Sequence, residues 1–255
     1  MTNVLKMLSI RCLVLSLVGL LAACNSTGPE QGSLVVVSDL ENPPFARVDL
    51  AGRPAGRDVE MLTEVAKRLG LDLDWKRMPF GELIQLVEAG EADLACATLG
   101  ISPERAKRVR FSRPYFETEI AVVVRAGEGI TEAEQLSAAR VYAGAGTTSQ
   151  VAVAQSIPDA VGVFESEGVP TEELLLEGMV DAAVMDGPNA DALVEGSEGR
   201  LQRLPTDLAR ERYALAVDPS QELLAERIDQ VLDDMERDGF LLLLDVSHGL
   251  VDLEQ

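Results

Sequence analysis

Apolar residues fall in short runs separated by polar, glycine-bearing or proline-bearing stretches, and their spacing switches between two periods. Ser33 to Ser38 (SLVVVS) is a continuous β-branched run, which suits a strand buried on both faces. The prolines of Asp39-Leu-Glu-Asn-Pro-Pro-Phe45 then impose extended or turning backbone. Val59, Leu62, Val65, Ala66 and Leu69 recur at helical spacing, with Asp58 as the expected cap and Gly70 as the stop. Leu71, Leu73 and Trp75 alternate, as a strand does. Helical spacing returns from Phe80 to Ala89 through Leu83, Ile84, Leu86 and Val87, and Gly90 ends it. Asp93 to Thr98 (DLACAT) is a second buried-strand pattern. The order β-α-β-α-β predicts a doubly wound α/β sheet, whose ligands gather at the carboxyl ends of strands.

Further along, Ile120 to Val124 (IAVVV) is a strand, and Val141 to Gly144 another, leading through Gly146-Thr147-Thr148 into a helix. Val161 to Phe164 is a weak strand and Pro170 to Glu177 a helix. Val180 to Met185 is a strand that runs into Asp186. Tyr213 to Val217 completes the strands, and Pro219 to Gly239 is a long amphipathic helix.

The stretch Asp93 to Arg105 (DLACATLGISPER) carries the most chemistry. Gly100 lets the backbone turn, and Ser102-Pro103 is a helix start, with Ser as cap and Pro at the first helical position. Arg105 falls in that helix's first turn. A strand end, a glycine turn, a helix N-terminus and a guanidinium together make a carboxylate receptor, because unpaired N–H groups favour an anion and Arg binds it bidentately. An ordinary strand-to-helix connection with a surface arginine would read the same way.

Composition narrows the field. The chain has 255 residues, 47% of them apolar and 25% charged, which is a globular balance. Its formal charge is −21, which argues against nucleic acid as a partner. Residues 1–24 resemble an export leader rather than part of the fold. Lys6 and Arg11 precede an apolar stretch, Cys12 to Ala23, that is short for a bilayer span, and Leu21-Ala22-Ala23-Cys24 matches a bacterial lipoprotein signal. That resemblance implies lipidation at Cys24 and a membrane-anchored chain outside the cytoplasm, with residues 25–32 as a polar tether; Cys24→Ser then releases it from the membrane fraction. Once the leader is removed, Cys96 is the sole internal cysteine, so no internal disulfide forms, and its apolar run marks it as a small buried hydrophobe. With His248 the lone histidine, no metal and no cofactor is called for.

Six motifs occur in one order: SDLENPPF at 38–45, Gly-x-Asp-x-Glu at 56–60, LGISPER at 99–105, FSRPY at 111–115, GTTSQ at 146–150 and DAAVMD at 181–186. In that order they resemble the family 3 solute-binding proteins of ABC transporters, the polar amino-acid group of periplasmic binding proteins. The resemblance implies two doubly wound α/β lobes joined by two crossover strands, the periplasmic binding protein type 2 fold. Lobe 1 is then 33–120 plus 214–255 and lobe 2 is 121–213, hinged at Ile120–Val124 and Tyr213–Val217. It implies a monomer that captures a small zwitterion, expected to be an amino acid, and delivers it to a membrane permease. Exported cyclohexadienyl dehydratases are similar in sequence, so an enzyme on the same fold is the alternative, separable by phenylpyruvate formation from prephenate. A sensory lipoprotein is a third.

The resemblance also assigns roles. Arg105 pairs with the ligand α-carboxylate, and backbone around Thr147 and Thr148 closes on the same group. Asp186 binds the α-ammonium, helped by the carbonyl of Thr98. Asp39 and Asn42 meet the ligand side chain, and Phe80 forms an aromatic wall. Asn42 stands where the family commonly has an aromatic, and Gly100 where it commonly has Ser or Thr. From the residues alone, Asp186 also suits a helix cap, Phe80 and Trp75 suit core, and Asp39 suits a loop cap.

Overall fold

The computed structural model describes residues 32–166 and 168–251. The leader, Cys24 and nearly all of the tether lie outside the described residues. Two sheets carry the fold. In the first, the strands lie in the order Asp72–Arg77, Ser33–Ser38, Leu94–Ala95, Ala216–Val217, Arg110–Phe111. The first three run parallel, pairing Val36 with both Trp75 and Leu94, and the last two join antiparallel.

The second sheet orders Val161–Val163, Arg140–Tyr142, Ala182–Asp186, Phe116–Arg125, Leu201–Arg203. Ala209–Tyr213 also pairs antiparallel with the start of Phe116–Arg125, matching Ala209 to Ile120 and Tyr213 to Phe116. A small third sheet, Glu41–Asn42, Ala46–Val48 and Pro54–Ala55, sits in the loop after the first strand.

The continuous apolar runs have a direct cause. Successive strand side chains point to opposite faces, and helices cover both faces of each sheet, so both sets must be apolar. Val36, Leu94 and Cys96 enter one core with Met61, Leu62, Val65, Ile228 and Leu232, whereas Val37, Ala95 and Ala97 enter another with Leu83, Ile84 and Val87. In the second sheet Val122 and Val124 pack on one side, and Ala121 and Val123 on the other.

Several local expectations are corrected. The first helix is Arg57–Leu69, with Gly56 and not Asp58 at its N-cap. At φ 121° and with a Cβ position 2.4 Å from the Phe45 carbonyl oxygen, that place admits only glycine. Asp58 lies inside the first turn, buried, and accepts from the Tyr115 hydroxyl at 2.5 Å. No α-helix follows Pro103. Ser102 Oγ does accept from Arg105 N at 3.2 Å, but only a single 3-10 turn, Arg105–Lys107, forms. Tyr213–Val217 is not one strand: Ala209–Tyr213 belongs to the second sheet and Ala216–Val217 to the first. The chain therefore crosses between sheets at Ala214 and Leu215, and the crossover ribbon is Phe116–Ile120 against Ala209–Tyr213. The long helix expected from Pro219 to Gly239 is Glu222–Arg237, and a further helix that was not expected, Phe240–Ser247, follows Gly239 at φ 79°. Among the described residues, no helix is long and apolar enough to cross a membrane.

Candidate functional site

The carboxyl ends of strands from both sheets converge on one cavity of about 400 Å3, within the range of small-molecule sites. All nine residues singled out from the sequence line it: Asp39, Asn42, Phe80, Thr98, Gly100, Arg105, Thr147, Thr148 and Asp186.

Arg105 reaches it from the turn after Gly100. Its Nη1 donates to the Gly100 carbonyl at 2.8 Å, and its Nη2 donates to the Gly146 carbonyl at 3.0 Å, beside the second sheet. The guanidinium also lies over the Phe80 ring, 5.5 Å from the centroid, a cation–π distance. Gly146 leads into the helix Thr148–Ser156, whose cap is Thr147: its hydroxyl accepts from Gln150 N at 3.2 Å and donates to the Gly144 carbonyl at 2.7 Å. The helix N-terminus expected beside Arg105 is thus supplied by the opposite side of the cavity. One guanidinium and one nine-residue helix start together favour an anion.

The opposite charge comes from Asp186. Its backbone is the N-cap of Gly187–Gly196, but its side chain makes no capping bond. The carboxylate instead accepts from the Tyr213 hydroxyl at 2.5 Å. Burial raises its pKa, against the lowering effects of Tyr213, Glu211 and Arg105.

Sequence reasoning missed Glu211. It lies on the crossover ribbon, 5% exposed, and its Oε1 accepts from the Thr148 hydroxyl. Gly100 runs antiparallel beside Tyr213, and a Cβ on Gly100 would fall 1.8 Å from Glu211 Oε1. The missing side chain at Gly100 is the space that Glu211 occupies. Burial, then the charge of Asp186, raises the Glu211 pKa to about 8. A signal was present: Arg210 and Arg212 are exposed while Glu211 and Tyr213 are buried, the period-2 alternation of a strand.

Asn42, Thr98 and Asn189 form a directed chain. Thr98 Oγ1 donates to the Ala97 carbonyl at 2.8 Å and accepts from Asn42 Nδ2 at 2.7 Å, and Asn42 Oδ1 accepts from Asn189 Nδ2 at 2.6 Å. Asn189, also unforeseen, is the partner that Asn42 meets. Phe80 both lines the cavity and packs against the core beneath it, and Trp75 is core.

The family profile described as bacterial extracellular solute-binding proteins, family 3, matches residues 34–245. The chain belongs to this family. It is 28% identical over 218 residues to the L-cystine-binding protein TcyJ of Escherichia coli K12, covering 84% of this chain and 82% of that protein. With the ABC transporter glutamine-binding protein GlnH of Bacillus subtilis it shares 28% identity over 257 residues, 92% and 93% of the two chains. Among solved structures, an ancestral arginine-binding protein bound to arginine superimposes with a TM-score of 0.76 at 30% identity, over 86% of this chain and 98% of that one. The type 2 periplasmic binding protein fold expected from the sequence is the fold of this chain. The relatives are binding proteins, and the family is extracellular.

Proposed function

We propose that this protein is the substrate-binding component of an ABC importer, and that it captures an amino acid between two lobes. The observation that carries this reading is the placement of Arg105 and Asp186. A guanidinium backed by a helix start and a carboxylate backed by a tyrosine hydroxyl face one cavity from different sheets. An α-amino acid presents the complementary pair, and both are desolvated together when the cleft is closed. Arg105, Thr147 and Thr148 hold the carboxylate; Asp186, Glu211 and the Thr98 carbonyl hold the ammonium; Asp39, Asn42 and Phe80 meet the side chain. The lobes, 33–120 with 214–255 and 121–213, open about the crossover ribbon. The monomer works outside the cytoplasm, anchored by a lipid at Cys24, and passes its ligand to a membrane permease.

Titration calorimetry on Arg105→Ala tests the site. Amino-acid binding should fall more than ~100-fold, since a buried carboxylate is left without its cation, while the melting midpoint of the empty protein holds. Unchanged affinity would overturn the assignment.

One observation favours a second reading. Glu211 is a buried carboxyl that keeps its proton near neutral pH, which is the kind of group a general acid requires. An enzyme acting on prephenate would use it to protonate the hydroxyl, which leaves as water while the ring carboxylate leaves as CO2 and its bonding pair restores the aromatic ring, and phenylpyruvate formation decides between capture and catalysis.

A further inference from the structure

Among the described residues, two side-chain hydrogen bonds outside the crossover ribbon join the two sides of the cleft. Arg105 Nη2 donates to the Gly146 carbonyl at 3.0 Å, and Asn189 Nδ2 donates to Asn42 Oδ1 at 2.6 Å. A ligand affects them differently. Arg105 is the cation for an α-carboxylate, so the ligand competes for its donors. Neither Asn42 nor Asn189 is needed by an α-carboxylate or an α-ammonium, so their bond persists through capture. Asn189 stands one turn into Gly187–Gly196, the helix that Asp186 begins. Tying Asn189 to the opposite side therefore holds Asp186 in place across the cavity from Arg105.

The side of the first sheet delivers its half of this bond through strained backbone. Ser33–Ser38 and Leu94–Ala95 are paired neighbours, and the chain leaves each through a left-handed residue other than glycine, Leu40 at φ 55° and Thr98 at φ 47°. Such a φ is an outlier for a β-branched side chain, and glycine would adopt it without steric cost. Strain of this kind persists only where the surroundings over-determine it. At Thr98 the side chain supplies the reason. Its hydroxyl donates to the Ala97 carbonyl at 2.8 Å, so it presents a lone pair to Asn42 Nδ2 at 2.7 Å. That fixes the Asn42 amide with its oxygen toward Asn189, which must then offer Nδ2. The same orientation leaves Asn189 Oδ1 buried without a partner, a cost set by the bond to Asn42.

We propose that Thr98, Asn42 and Asn189 form a latch that holds the cleft closed whatever side chain the ligand carries, with Thr98 as the positioning residue that aims it. This rests on the amino-acid reading above and adds what sets the ligand's residence time. Every group in the latch belongs to the protein, so it stabilises the closed form equally for each ligand. It raises affinity by raising the closed fraction, and it slows release because the lobes cannot part until it breaks. It does not discriminate between ligands, since discrimination is a difference of affinities.

Stopped-flow dissociation and titration calorimetry on the wild type, Asn189→Ala and Thr98→Val test it, using the pair of common amino acids that the wild type binds most tightly. Asn189→Ala should release both ligands about 3–10-fold faster, the effect of one net hydrogen bond. Both affinities should weaken by the same factor, so that their ratio holds. Thr98→Val keeps the branched shape and removes only the hydroxyl. It should speed release by a similar factor, and Thr98→Ser should recover most of that change. The double variant should release no faster than Asn189→Ala alone, because both substitutions cut one chain.

Unchanged dissociation in Asn189→Ala overturns the latch and leaves the amino-acid reading intact. A shifted affinity ratio in that variant means that Asn189 reads the ligand side chain, which overturns a latch blind to the ligand. Additive effects in the double variant overturn Thr98 as the residue that aims it. A wild type that binds no α-amino acid overturns both this inference and the reading beneath it.

Discussion

Two buried charge clusters in this molecule are built from the same groups and finished differently. Beneath the first sheet, Arg57 is fully buried and donates to Asp245 at 2.9 Å, to Asp58 at 3.3 Å and to the Tyr115 carbonyl at 3.3 Å. The second oxygen of Asp58 takes the Tyr115 hydroxyl. In the cleft, Arg105 spends its donors on two backbone carbonyls, Asp39 keeps an oxygen without a hydrogen-bond partner, and Glu211 stays protonated beside Asp186. The arginines record the contrast. Burial pulls the Arg57 pKa down, but Asp58 and Asp245 outweigh it and the net shift is upward. In Arg105 burial outweighs Glu211 and Asp186, and the net shift is downward. A cluster whose hydrogen bonds are complete holds the fold; one left short of donors is arranged for a molecule that arrives later.

The largest expected effect breaks the first cluster. Arg57→Ala leaves Asp58 buried without its cation and should cost about 3–5 kcal/mol, read as a drop in the urea midpoint. Converting Asp58 to Asn in the same chain should recover part of the loss, because removing both partners is far cheaper than removing one. A loss under ~1 kcal/mol for Arg57→Ala would mean that this cluster is no more structural than the cleft.

An intermediate effect sharpens the second cluster. Gly100→Ser restores the residue type common in the family but drives its Cβ into Glu211, and Thr148 Cγ2 stands 2.9 Å away. Glu211 must leave, and amino-acid affinity should fall ~10–100-fold with the loss of a charge-assisted bond. Adding Glu211→Ala frees the space for the serine hydroxyl, so the double variant should bind better than Gly100→Ser alone. Additive losses measured by calorimetry would show that Gly100 and Glu211 are not coupled.

The same contrast explains what was legible in the sequence. SLVVVS and IAVVV announced the sheets because strands buried on both faces need apolar side chains at every position. Asp186 was legible because it closes a strand run beside Gly187, and Arg105 because it follows a strand run, Gly100 and the Ser102-Pro103 turn signal. Glu211 was hidden by its neighbours: Arg210 and Arg212 give the segment a solvent-facing look. Its burial depends on Gly100, which the antiparallel register alone brings alongside. Asp58 was misplaced as a cap for a related reason. A carboxylate at a helix start suits the dipole, and nothing local says that the Tyr115 hydroxyl donates to it or that Asp245 fixes its neighbour Arg57. Partners distant in sequence decide what a buried charge is for.

The smallest effect is a pH dependence of opposite sign for stability and for binding. In the folded protein Glu211 titrates at about 8, raised by burial and by Asp186, against roughly 4.3 for an unfolded glutamate. The folded chain therefore holds a proton that the unfolded chain has released across that window. Stability of the empty protein should fall as pH rises through it. A ligand ammonium between Asp186 and Glu211 favours the ionised pair and lowers its pKa, so capture expels the proton that the two carboxyls share. Affinity should then rise with pH, by at most about one decade per unit for one proton, and level off above about 8. Calorimetry in buffers of different ionisation enthalpy reads the released proton directly. Glu211→Gln should flatten both slopes at once, and a proton release unchanged in that variant would move the titrating group elsewhere in the cleft.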